Sequence, residues 1–244
     1  MITFLTSSPT GALDGSYVVD GLDPSNAFTD NLKKYWKENA RVLMITAFPS
    51  EHAASDQMTG FFRDAAVKAG LSVSCFDLWD DRSCDTSREA LLSYDVIFLG
   101  GGHVPTQNAF FKKLFLRENI RDFDGIVIGI SAGSMNAADI VYAQPEEAGE
   151  ATDPFYQRWI TGLALTDINV LPHYNMVHDY YKDGMHLFRE ITCPDSEGHK
   201  FLALADGSYL MITPEETKVY GNAWKLFPDR IEKICHTGEY KKLI

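Results

Sequence analysis

Five short apolar runs, Ile2 to Thr6, Val42 to Thr46, Val73 to Asp77, Val96 to Leu99 and Ile126 to Ile130, punctuate the first 140 residues, with helical patterns between them. This alternation predicts a mostly parallel sheet with helices on both faces, because neighbouring parallel strands can be joined only by a crossover, usually a helix. The predicted helices run roughly from Phe28 to Lys37, Ser55 to Ala69, Ser87 to Leu92 and Gln107 to Arg117, and Gly70 closes the second as its C-cap. From Phe201 the pattern changes to short strands, Phe201 to Ala205, Tyr209 to Thr213, Lys218 to Tyr220 and Ala223 to Phe227. Asp206-Gly207 and Gly221-Asn222 stand between them as hairpin signals, so an antiparallel C-terminal extension of the sheet is expected. The expected class is α/β. No linker, repeat or low-complexity tract divides the chain, and its 244 residues suit one core, so a single domain over 1–244 is expected.

A net charge of -12 argues against nucleic acid or anionic membrane as main partners, since both need clustered Lys and Arg. A homodimer is expected. Cys75, Cys84, Cys193 and Cys235 are scattered without a CxxC pair, which fits a reducing compartment. The start lacks a basic segment and no apolar run approaches membrane-spanning length, so a cytoplasmic protein is expected.

The stretch Gly129-Ile130-Ser131-Ala132-Gly133 follows the last of the five runs and leads into small, helix-compatible residues. A strand that turns straight into a helix holds its corner residue in a strained conformation and pushes its hydroxyl outward, and flanking glycines admit close backbone approach. Ser131 is therefore a candidate nucleophile; its alternative is a serine that merely caps a helix. Gly100-Gly101-Gly102-His103 follows the Val96 to Leu99 strand, so its loop belongs on the same sheet edge. Side-chain-free amides there suit an oxyanion hole, with the Ala132 amide as second donor. The run is followed by no Gly-Lys-Ser/Thr and lacks GxGxxG spacing, which counts against a phosphate cradle.

A serine needs a base, and seven histidines compete for the role. His173 follows Ile168-Asn169-Val170-Leu171-Pro172, another strand end. His52 and His103 also follow strand ends, whereas His178, His186, His199 and His236 lie in polar settings. Asp206 is the favoured acid to orient the base, with Glu146, Glu147 and Asp153 as alternatives in the irregular stretch from Gln144 to Asp167. His173, His178, Asp179 and His186 match no standard ligand spacing, so neither metal nor cofactor is expected.

With these residues in view, the whole chain resembles dipeptidase E, the aspartyl dipeptidases, whose relatives include cyanophycinase. The motifs are Gly100-Gly101-Gly102, Gly129 to Ser134, Leu171-Pro172-His173-Tyr174 and Leu204-Ala205-Asp206-Gly207. The resemblance implies the flavodoxin-like fold of class I glutamine amidotransferases and a serine-type peptidase acting on short peptides. It makes Ser131 the nucleophile, His173 the base, and the amides of Gly102 and Ala132 the oxyanion donors. Gly101, His103 and His178 become candidate substrate contacts. Asp206 stands where the family commonly has Glu, and His103 where it has Asn. Lys182 and Arg189 offer no counterpart in register to the basic residue that holds the substrate's aspartate, so aspartate-first specificity is left open. The alternatives are a cyanophycinase-like isopeptidase and a non-catalytic small-molecule or peptide-binding protein; a serine in place of a thiolate counts against amidotransferase chemistry.

Overall fold

The computed structural model of the chain describes residues 1–11, 21–85 and 87–243. Its strands in chain order are β1 (Ile2–Thr6), β2 (Ala40–Ile45), β3 (Val73–Trp79), β4 (Val96–Leu99), β5 (Ile126–Ile130), β6 (Ile140–Tyr142), β7 (Trp159–Thr161) and β8 (Ile168–Leu171). There follow β9 (Tyr181–Lys182), β10 (Met185–His186), β11 (Lys200–Leu204), β12 (Tyr209–Ile212), β13 (Thr217–Tyr220), β14 (Ala223–Phe227), β15 (Arg230–Cys235) and β16 (Tyr240–Lys242). The helices used below are α1 (Phe28–Lys33), α2 (His52–Lys68), α3 (Arg88–Leu92), α4 (Val104–Lys113), α5 (Leu116–Asn119), α6 (Ala132–Met135) and α7 (Tyr174–Val177).

Eight strands form the main sheet in the order β16-β13-β12-β1-β5-β4-β2-β3. From β1 to β3 all neighbours are parallel, and β12, β13 and β16 add antiparallel strands beyond β1. Alternation along each strand sorts the side chains into two layers. Val42, Met44, Val96, Phe98, Ile126 and Ile128 pack with Leu32 of α1 and Phe62, Ala65 and Ala66 of α2. Leu43, Ile45, Ile97, Leu99 and Val127 pack with Phe110, Phe111 and Leu114 on the other face. Burying each such large aliphatic or aromatic side chain stabilises the fold by about 1.5–3 kcal/mol.

The local signals act where they stand. Gly70 has φ +76, its N–H bonds the Val67 carbonyl at 2.9 Å, and the Leu71 N–H bonds the Ala66 carbonyl at 3.0 Å, a Schellman closure of α2. Ser87 caps α3 by accepting from the Ala90 N–H at 3.2 Å. The helix expected from Gln107 to Arg117 is instead divided between α4 and α5, because Phe115 takes a left-handed conformation (φ 49).

The C-terminal third departs from a simple extension. Strands β8, β11, β14 and β15 form a second sheet in the order β15-β14-β11-β8, and β8 runs parallel to β11. Asp206-Gly207 therefore carries the chain from β11 in the second sheet to β12 in the main one, and Gly221-Asn222 carries it back to β14. Neither dipeptide closes a hairpin. The turn signals are local and do not specify that the chain returns to the strand it left. Leu5, Leu210 and Val219 of the main sheet pack against Val170, Leu202 and Leu204 of the second, joining the two. Among the described residues no helix is long and apolar enough to cross a membrane.

Gly133 lies where α6 passes β4, and an added Cβ would come within 2.2 Å of the Leu99 carbonyl oxygen. Gly133→Ala should lower unfolding stability by about 2–4 kcal/mol in a denaturant titration. Gly60, within α2 and with open space around it, is the opposite case: Gly60→Ala should raise stability by about 0.5–1 kcal/mol.

Candidate active site

Ser131 sits at the corner between β5 and α6 with φ 49 and ψ -112, a conformation that costs of order 1–3 kcal/mol for a residue with a side chain. The surroundings hold it there. Its N–H reaches the carbonyls of Thr6 at 3.1 Å and Ser7 at 3.2 Å, and the Ser134 hydroxyl donates to the same Thr6 carbonyl at 2.8 Å. Both flanking glycines are required by space: a Cβ on Gly129 would meet the Ser134 backbone at 2.8 Å, and Gly133 lies against Leu99. The corner thus depends on β1 and β4, the two neighbours of β5, as well as on its own residues.

His173 and Asp206 come from the second sheet. Leu171 of β8 and Ala203 of β11 are register partners in a parallel pair, so the segments leaving both strands emerge side by side. His173 turns at once into a left-handed conformation (φ 58). Its Nδ1 lies 2.6 Å from Asp206 Oδ1, and its Nε2 lies 2.9 Å from Ser131 Oγ. The Asp206 side chain is only 1% exposed, so its carboxylate must be satisfied by protein donors. Since an ionised carboxylate accepts only, Nδ1 carries the proton and Nε2 presents a lone pair to the serine hydroxyl. Ser7, two residues before Pro9, completes the arrangement: its hydroxyl donates to Asp206 Oδ1 at 2.7 Å and accepts the His173 N–H at 2.7 Å. The Asp206 N–H in turn donates to Asn175 Oδ1 at 3.0 Å.

The glycine loop lies over the serine. A Cβ on Gly101 would sit 3.4 Å from Ser131 Cβ, and one on Gly102 would strike Phe48 and Ala47 at 2.6 and 2.7 Å. The Gly102 and Ala132 amides carry no hydrogen bond to another described residue.

Two unlike flanks border Ser131. On one, a cavity of about 520 Å³ is walled chiefly by apolar side chains, among them Phe48, Met58, Phe61, Phe62 and Ile130, and reaches Ser131 and His173. On the other, His103 Nε2 lies 3.3 Å from Glu150 Oε1, and Glu150 Oε2 accepts the N–H groups of Glu146 and Glu147 at 2.7 and 2.9 Å. Asp183 fixes the same loop by accepting from the Gly149 and Ala151 N–H groups. Glu146 is an exposed residue, but partial burial of its carboxyl pushes it up to about 7. The Glu150 charge pushes the same way, while the nearby imidazoles of His103 and His173 and the Lys182 ammonium oppose the rise. The Tyr156 hydroxyl is buried beside the same two carboxylates, and burial foremost, then their charge, pushes it up.

The candidate residues therefore divide. Ser131, His173, Asp206, Gly101 and Gly102 meet at one crevice, His103 borders it, and Glu146 lies within the electrostatic reach of His103 and His173. His178 pairs with Asp179 at 3.0 Å and lines a separate cavity of about 390 Å³ with Tyr174, His186, Arg189 and Arg230. Among the described residues no three His, Cys, Asp or Glu side chains converge as a metal site. Sequence reasoning passed over Ser7 and Asn175. The signal for Ser7 was its place directly after a parallel strand, since all such strand ends share one edge.

A serine hydroxyl, an imidazole and a carboxylate in line, at the carboxyl edge of a doubly wound sheet, is the arrangement of a serine hydrolase. The sequence model of Peptidase family S51 matches residues 23–220, and the chain belongs to that family. It is a serine-type peptidase. Two solved structures share the fold. A peptidase from an acI-B1 Actinobacterium is 15% identical with a TM-score of 0.62, the match covering 99% of this chain and 96% of the other. A candidate peptidase E protein from Listeria monocytogenes EGD-e is 17% identical with a TM-score of 0.59, covering 96% and 98%. Comparison with curated proteins gives no match.

The raised Glu146 carboxyl has a stability consequence. Unfolded, it releases its proton near 4.5; folded, it holds the proton until about 7. Between these values the folded state binds more protons, so this group makes stability fall as pH rises from about 4.5 to 7. Glu146→Gln removes the term. Melting temperatures of variant and parent should diverge in that window, the variant becoming the more stable above it, by less than full burial would give because Glu146 is solvent-accessible; parallel curves would contradict the assignment.

Proposed function

We propose that the protein hydrolyses short peptides with a free amino terminus, using Ser131 as nucleophile, His173 as base and then acid, and Asp206 as the carboxylate that orients and stabilises the imidazolium. The observation that carries this reading is the unbroken line from Ser131 Oγ to His173 to Asp206, with separations of 2.9 and 2.6 Å. Ser131 Oγ attacks the scissile carbonyl as its proton passes to His173 Nε2. The resulting oxyanion is received by the Gly102 and Ala132 amides, each such donor lowering the barrier by about 3 kcal/mol. His173 then gives its proton to the departing amine, and water, activated by the same imidazole, releases the acyl group from Ser131.

The demand for a free amino terminus rests on the flank that carries Glu146 and Glu150. In a dipeptide the ammonium lies two bonds from the scissile carbonyl, so Glu150, joined by Glu146 as it ionises, is placed to pair with it. The same charges disfavour an aspartate as first residue. Arg189 and His178, which could have held such a side chain, line the separate cavity.

The test is hydrolysis of a dipeptide library by the parent, Ser131→Ala and Asp206→Asn. Ser131→Ala should lose about 10⁴- to 10⁶-fold in turnover and Asp206→Asn about 10³- to 10⁴-fold, both with cooperative unfolding retained. A fluorophosphonate should label the parent at Ser131 and leave Ser131→Ala untouched. Near-normal turnover by Ser131→Ala would overturn the reading.

A further inference from the structure

An apolar cavity of about 520 Å³ opens onto Ser131, and it falls within the range of small-ligand pockets. Its wall is built by one unit of the fold. Phe48 follows β2, and Met58, Phe61 and Phe62 project from α2, while Pro9 follows β1 and Ile130 precedes Ser131. Phe62 and Ile130 are buried at 6% and 7% exposure, so the floor is fixed by the core; Phe61, at 46%, forms the rim. Among the described residues, His173 is the only titratable side chain that lines it.

Its position decides which part of a substrate it receives. The scissile carbon must lie on Ser131, with its oxygen toward Gly102 and Ala132. One residue of the peptide then extends toward Glu146 and Glu150, and the other extends into the cavity. A free ammonium belongs with the carboxylates, which assigns the acyl residue to that flank. The leaving residue is left to the apolar side, where His173 also stands to protonate its nitrogen.

We infer that the Phe48–Met58–Phe61–Phe62 cavity is a specificity site for the residue on the leaving side of the scissile bond, and that this residue is a large apolar one, such as Leu, Met or Phe. The inference rests on the peptidase reading above and adds the substrate class. A desolvated apolar side chain gains about 10- to 100-fold in kcat/KM over a glycine or a charged residue in the same position.

The full-length protein is assayed with dipeptides that share one first residue and differ in the second: Gly, Leu, Phe, Asp and Lys. Leu and Phe should exceed Gly, Asp and Lys by about tenfold or more in kcat/KM. Phe61→Glu, a change at the exposed rim that the fold tolerates, should shift the ratio of Lys-second to Leu-second cleavage upward by at least tenfold. Ser131-dependent cleavage with a flat second-residue profile, or a ratio unmoved in Phe61→Glu, would overturn the inference and leave the peptidase reading standing. Calorimetric titration of the same dipeptides into Ser131→Ala separates the two. Preference for Leu and Phe in binding without cleavage by the parent would uphold the cavity and overturn the peptidase reading, whereas flat binding would overturn the cavity.

Discussion

The contact between the two sheets carries the site. Ser131 belongs to β5 in the main sheet, while His173 and Asp206 leave β8 and β11 in the second, and nothing in the local sequence of either ties them together. They meet because Leu5, Leu210 and Val219 bury themselves against Val170, Leu202 and Leu204. This apolar interface is non-directional, so by itself it fixes distance better than register. The hydroxyl of Ser7 supplies the missing direction. Standing one residue beyond β1, it bonds both the His173 backbone and the Asp206 carboxylate, and so aligns the two sheet edges to within hydrogen-bond tolerance.

The same arrangement explains why an aspartate reaches where a longer carboxylate would also serve. Asp206 is three residues beyond Ala203, which pairs with Leu171, and His173 is two beyond Leu171. Both side chains therefore start from adjacent backbone, and 2.6 Å between Oδ1 and Nδ1 needs no extra methylene. The Asp206 amide is anchored by Asn175, from the turn after His173, so base and acid hold each other's loops. A buried carboxylate is costly unless satisfied, and bonds from Ser7 and His173 provide the compensation.

Much of this was legible from the sequence, for reasons that are themselves physical. The strands β1, β4 and β5 coincide with the expected runs because each is a short, largely buried and mainly apolar stretch followed by glycine or a small polar residue. Gly129, Gly133 and Gly70 were readable because steric demand leaves no other residue type. The two-sheet division was not, since Asp206-Gly207 satisfies the chemistry of a hairpin turn while in fact crossing between sheets. Phe115 could not be foreseen as a helix break, because nothing about a phenylalanine favours a left-handed backbone. Glu146 was visible only as one carboxylate among several in an irregular stretch; its nearness to His103 and His173 is a property of tertiary structure.

The asymmetry around Ser131 follows from the fold's construction. The apolar flank is an extension of the α2 layer: Phe62 belongs to the same cluster as Phe98 and Val96, and its ring lies 5.7 Å from that of Phe98. Core packing there continues to the crevice and ends at the wall of the apolar cavity. The polar flank rests on a different cluster, in which Ala143 and Ala151 pack with Tyr142, Leu187 and Phe188, and its carboxylates stand on the loop above it. That irregular loop is held by main-chain bonds to Glu150 and Asp183, which suits charged side chains because water and backbone amides remain within reach. A peptide lying across Ser131 would thus meet a rigid apolar wall on one side and an adaptable acidic loop on the other. The rigid wall can discriminate by shape, and the loop can discriminate only by charge.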